Sequence, residues 1–184
     1  MFQEYSEISS REQETVPSNI TFIEGGLGYP LPAIFRVSLP ERQPEPETSD
    51  KTDETLLITG AEHTELVRPI RVITERLLAK CIGERGVKWA KFALQEELLN
   101  VITHTSDQTM IIEVTPKAIV YLSSPTIEQS ASTGKAQSRF EHAQDYLKSD
   151  HAGEVRGRGT VISTNFSQTS VENGRIRLDF SEYL

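Results

Sequence analysis

Met110-Ile111-Ile112-Glu113-Val114, then Thr115-Pro116-Lys117, then Ala118-Ile119-Val120-Tyr121-Leu122: the fold is decided in this stretch. Both arms are rich in β-branched and aromatic residues, and the three residues between them read as a hairpin-like turn. Strands joined this tightly run antiparallel, since a parallel pair needs a crossover of a dozen residues or more.

Working outward from this hairpin, the preceding segments read as helices. Leu66, Ile70, Ile73, Leu77 and Cys81 recur at helical spacing, flanked by Val67, Leu78 and Ile82. Pro69 belongs in a first turn, so this helix is expected to start near 65–68 and to end at Gly83 or Gly86. A second helix is expected over 87–103, with an apolar set of Trp89, Ala90, Phe92, Ala93, Leu94, Leu98, Val101 and Ile102. Further upstream, 19–24, 33–39 and 54–59 read as strands. After the hairpin, Ala136, Phe140, Ala143 and Leu147 mark a third helix over 136–148. The chain closes with strands expected at 155–164 and 175–183, and Asn173-Gly174 is a turn signal between them. The order β-β-β-α-α-β-β-α-β-β keeps strands in pairs. It predicts an α+β fold: a mainly antiparallel sheet of paired strands with two to three helices packed on it, and not a doubly wound parallel fold.

The 184 residues are 36% hydrophobic and 25% charged, with a net charge of −8. No apolar run approaches the roughly 18 residues of a membrane span. The polar, acidic opening Met1-Phe2-Gln3-Glu4 does not read as a signal peptide. One cysteine makes neither an internal disulfide nor a thiolate zinc site. A cytoplasmic chain without a cofactor and without membrane contact is the expectation. Residues 1–56 hold eleven acids and four bases, so most of the net charge lies there. Residues 1–17 read as a flexible polar tail. The remainder, 18–184, reads as a single α+β domain. Within it the Pro/Glu-rich stretch 40–55 is expected to be a mobile acidic loop, and the Ser/Thr-rich stretch 123–135 a surface connection.

Motifs for chemistry are sparse. Gly25-Gly26-Leu27-Gly28 resembles a phosphate loop in composition, but no Lys-Ser/Thr follows and Pro30 and Pro32 stand where a helix would begin. A turn between strands is the better reading. Cys81 sits on the apolar stripe, where a thiol packs as a small hydrophobe. Glu141, His142, Asp145, Asp150, His151 and Glu154 are metal-ligand types, and a divalent-metal enzyme would use them. The first three lie off the Phe140–Leu147 stripe, however, and fit a solvated helix face. His104-Thr105-Ser106-Asp107 reads as the end of the second helix, because a hydrolytic triad is assembled in space and not by adjacency.

Basic residues form the clearest pattern. Residues 66–92 carry seven bases against two acids. Arg68, Arg71 and Arg76 lie broadly opposite the apolar stripe of the first helix. In the two C-terminal strands, Arg156 and Arg158, and Arg175 and Arg177, share a strand face by their spacing of two. In suitable register, four arginines would share one surface able to hold phosphates or acidic protein segments. Three functions follow. The first is a non-enzymatic assembly or adaptor subunit working through contacts with other protein subunits, in a homo- or hetero-oligomer. The alternative is a nucleic-acid-associated factor binding phosphates through the arginines. The third is the metal-dependent enzyme.

Overall fold

β1 (Ile20–Glu24) and β2 (Ala33–Ser38) pair antiparallel, with Phe22 opposite Phe35. The register shifts between Phe22 and Glu24, so Ile23 is the extra residue of a β-bulge. The computed structural model describes residues 16–40, 53–105, 107–148 and 163–184; for residues 53–64, His104, Tyr146 and Lys148 it describes the backbone only. Then come α1 (Asp53–Leu78), α2 (Glu84–His104), β3 (Thr109–Val114), β4 (Ile119–Ser123), α3 (Pro125–Ser132) and α4 (Lys135–Lys148). One helical turn at 163–166, β5 (Gln168–Glu172), β6 (Arg175–Asp179) and a 3-10 turn (Ser181–Tyr183) complete the chain.

Six strands form one sheet in the order β1-β2-β3-β4-β6-β5, and every neighbouring pair is antiparallel. The α+β class read from the sequence is the observed one. Register puts Phe35, Ile112, Leu122, Ile176 and Val171 in one row across five strands. That row and its neighbours face a single core, joined by Val67, Ile70 and Leu77 of α1, Leu94 and Leu98 of α2, Ile127 of α3 and Phe140 of α4. The helices therefore lie on one side of the sheet, and among the described residues nothing covers the other side. No helix among the described residues is long and apolar enough to cross a membrane.

Several expectations are corrected. The strand expected at 54–59 is the start of α1, and Pro69 lies inside that helix, not in its first turn. A short apolar run such as Leu56-Leu57-Ile58 does not separate helix from strand by periodicity. Packing of α1 along α2 outweighs the hydrogen bond that Pro69 cannot donate. The connection expected at 123–135 contains α3, so the helices number four among the described residues. Ser124 caps α3 by accepting from the Ile127 N–H, and Pro125 stands in its first turn. Thr126 also donates its N–H and hydroxyl to the Asp107 carboxylate, both at 3.0 Å. Residues 163 and 164, expected in a strand, are helical, and β5 lies in what read as a polar connection. Asn173 and Gly174, both with positive φ, close the β5–β6 hairpin as their residue types suggest. The last strand ends at Asp179. Of the expected tail and acidic loop, residues 1–15 and 41–52 lie outside the described set, while Val16 packs on the core and 53–55 are helical.

The glycine-rich turn joins β1 to β2. Gly25 has φ +67°, and a Cβ there would lie 2.8 Å from the Pro32 carbonyl oxygen, so no larger residue fits without a shift. Lys80 Nζ donates to the carbonyls of Gly26 (3.2 Å) and Tyr29 (2.5 Å). A cation thus holds this loop onto the end of α1.

Candidate interaction surfaces

Of the seven arginines singled out above, the five that the structure describes do not form one surface. Arg175 and Arg177 stand on the open face of the sheet. Arg68, Arg71 and Arg76 lie on α1, in the opposite layer; Arg68 and Arg76 are exposed, and Arg71 pairs with Glu75 at 2.6 Å. Arg156 and Arg158 fall outside the described residues, and the strands flanking β6 are β4 and β5.

On the open face, Arg175 is held between acid and ring. Its Nη1 is 2.7 Å from Glu113, and its guanidinium carbon lies 4.0 Å from the Tyr121 ring centroid. Arg177 reaches Asp179 at 2.5 Å and Glu172 at 3.5 Å. Tyr121 donates its hydroxyl to Glu172 at 2.5 Å. That bond raises the Tyr121 phenol above its ordinary value, with burial adding to it. Burial works to raise the Asp179 carboxyl, but the hydroxyl and N–H of Ser181 and the Arg177 guanidinium outweigh it and leave the group below its ordinary value. Two arginines are thus matched by three acids, and no excess positive charge remains in this network for a phosphate. Beside it a hollow of about 490 Å³ lies between Lys117, Ile119, Tyr121 and Glu172.

Toward the β1 edge the same face turns apolar. Ile34 is half-buried, and Ile111 and Ile23 are 36% and 53% exposed. Exposed Arg36 stands among them, opposite Ile111 on β3 and Thr21 on β1. At the other edge of the sheet, the β5 N–H of Val171 is taken up by the Gln137 side chain of α4 at 3.3 Å. This blunts that edge against pairing with another strand.

A second surface was not legible in the sequence. Trp89 and Phe166 stack with centroids 5.1 Å apart at 12°, and Phe92 lies 5.4 Å from Phe166. Phe92 is 47% exposed. At 100° per residue it points away from the buried stripe Ala90, Ala93, Leu94 and Leu98. Counting Trp89 and Phe92 with the core set hid this, although that set was too wide for one helix face. Phe166 sat in a stretch with no recognised element. Arg85, Lys88 and Lys91 are exposed on the same helix. A hollow of about 370 Å³ opens between Arg85, Gly86, Trp89, Tyr183 and Leu184. Burial, then Glu182, pushes the Tyr183 phenol up to about 12.

Between α2 and α4 lies a buried polar joint. The Glu97 carboxylate is fully buried, bonded to Arg139 of α4, and accepts from the Ser163 hydroxyl at 3.0 Å. Burial, and then the charge on Glu97, raises the neighbouring Glu96 carboxyl. On the outer side of α4, Glu141, His142 and Asp145 are exposed. His142 Nδ1 lies 2.7 Å from the Ser138 carbonyl oxygen, and Glu141 accepts from Gln137. Asp150, His151 and Glu154 lie outside the described residues. Cys81 is half-buried at the end of the α1–α2 core, its thiol raised by burial. Thr105 caps the end of α2, and Asp107 braces α3.

What these features define is a two-layer α+β body with an open, partly apolar sheet face and an aromatic patch on the helix layer. Comparisons with protein-family models, with curated proteins and with solved structures give no match to this chain.

Proposed function

We propose that the chain is a non-enzymatic assembly or adaptor subunit of a larger protein complex, acting through protein–protein contacts. One observation carries this reading: among the described residues nothing covers the sheet face opposite the helices, and toward the β1 edge it bears Ile34 and Ile111 beside an exposed Arg36, with Ile23 exposed at the β1 bulge. Contiguous apolar surface rimmed by polar groups is the usual mark of a protein-binding face. The fitting partner is a protein surface that is flat and apolar, with a carboxylate placed to meet Arg36. The phosphate-binding reading has less support, because Arg175 and Arg177 already face three acids. A cytoplasmic setting belongs to the same proposal, and a lone free thiol suits a reducing compartment.

The test is cross-linking and co-purification of the full chain from its source cells, followed by light scattering on a sizing column. Cross-links on β2 and β3, and loss of the partner in Ile111→Lys, are expected. A mass shift with added DNA or RNA that disappears at moderate salt, with no protein partner, overturns the reading in favour of nucleic acid.

A further inference from the structure

We propose that the partner of the open sheet face is a second copy of this chain, docked face to face about a two-fold axis that crosses the strands at the level of Phe35. The inference rests on the protein-binding reading of that face and names its occupant.

Register supplies the first argument. On β2, Ile34 stands between Glu24 of β1 and Glu113 of β3, while Arg36 stands between Thr21 and Ile111. Residues directly opposite on neighbouring strands share a face. The open side therefore carries two successive rows, Glu24–Ile34–Glu113 and Thr21–Arg36–Ile111. A half-turn about an axis lying across the strands between these rows lays each row over the other. Arg36 of each copy then sits over Ile34 of the other, with a carboxylate about 5 Å to either side. Ile111 of each copy comes down beside the same Ile34, so apolar and charged contacts are made together.

Charge is the second. Arg36 and Glu24 are exposed, and among the described residues neither forms an ion pair within its own chain. Glu113 is already bonded to Arg175, which leaves Glu24 as the acid for Arg36. The half-turn makes that pair twice. The face as a whole is close to neutral, with Arg36, Arg175 and Arg177 against Glu24, Glu113, Glu172 and Asp179. Such a balance selects neither a strongly acidic nor a strongly basic partner. It also lets two chains of net charge −8 meet there with little repulsion.

Edge-to-edge growth of the sheet is the competing arrangement, and both edges oppose it: β1 through the Ile23 bulge, β5 through the Gln137 bond. Six strands about 4.8 Å apart and about 17 Å long offer about 500 Å² in plan, and more in accessible surface. That is near the roughly 600 Å² per partner below which complexes are transient. A reversible dimer is therefore expected.

The experiment is sedimentation equilibrium of the full chain from about 1 μM to about 1 mM. The mass is expected to rise with concentration from 20.6 kDa toward twice that value. Arg36→Glu and Glu24→Arg each set like charges against one another at two equivalent contacts. Each is expected to weaken self-association at least about a hundredfold. Mixed in equal amounts, the two variants are expected to associate again, because each acid of one then faces a base of the other. Both positions are exposed, and far-UV spectra check that the fold is kept. A dimer unmoved by both single variants would overturn the proposal, as would variants that dissociate but do not associate on mixing. A mass of 20.6 kDa throughout would overturn it too. In that case, capture of a different protein that Ile111→Lys abolishes leaves the sheet-face reading standing, and failure to capture one removes both.

Discussion

Glu97 shows how much one residue can carry here. It is a fully buried carboxylate on α2, and its bonds to Arg139 and Ser163 tie α2 to α4 and to the turn before β5. Removing Glu97 strands the Arg139 guanidinium, whose side chain is 34% exposed and so partly solvated, and removes the acceptor of the Ser163 hydroxyl, a loss of about 1.5–3 kcal/mol. Glu97→Ala is therefore expected to lower stability by that amount in urea unfolding, and Glu97→Gln by less, since it keeps an acceptor. Asp179 acts through pH. Its carboxyl is held below the ordinary value, so its contribution is present above the unfolded-state value near 4 and lost as pH falls through the folded one. Asp179→Asn is expected to cost about 1–2 kcal/mol at neutral pH, and the gap from the parent to close as pH falls through the folded value. Tyr183 behaves in the opposite sense. A phenol pushed up to about 12 keeps its proton in the folded chain, so stability falls as pH rises from the ordinary value of about 10 toward 12. Alkaline unfolding of Tyr183→Phe is expected to lack that slope.

At the scale of elements, Pro69 is the informative case. It stands inside the 26-residue α1, where it leaves the Glu65 carbonyl without its helical donor. Pro69→Ala restores the donor and is expected to raise the melting temperature, the gain being at most about 3 kcal/mol. A loss of stability instead would mean that the ring's own packing matters more than the missing bond. The same residue explains a limit of sequence reading. Proline placed the helix start too late because local propensity was trusted over burial, and Val67, Ile70, Ile73 and Leu77 are buried on both sides of it. The alternating strands β2 and β3 were legible because one face of each is buried and the other is not. β5 was not, because its inward position Thr169 is polar and only Val171 signals a core. α3 was missed for a related reason: its one buried apolar residue, Ile127, makes no stripe, and Ser124-Pro125 reads as a turn until the cap is seen. The arginines of β6 were rightly placed on one strand face, but spacing along a strand says nothing about which acids stand on the neighbouring strands.

The whole molecule has two outward surfaces with a core between them, and this separation has a measurable consequence. Ile111 and Phe92 stand on opposite layers, each exposed and each outside the core cluster. Substitutions at positions on opposite layers share no partner, so their effects on stability add. Phe92→Lys gives up the ring contacts with Phe166 and Trp89, and Ile111→Lys part of a side chain that is only 36% exposed, so each is expected to cost about 1 kcal/mol, and the double variant their sum within about 0.5 kcal/mol. Their effects on function should separate just as cleanly. Ile111→Lys is expected to abolish partner capture while leaving Trp89 quenching as in the parent, and Phe92→Lys to raise Trp89 quenching while leaving partner capture intact. If either change moved both readouts, the two faces would be coupled through the core they share, an outcome that a rigid body with independent faces does not allow.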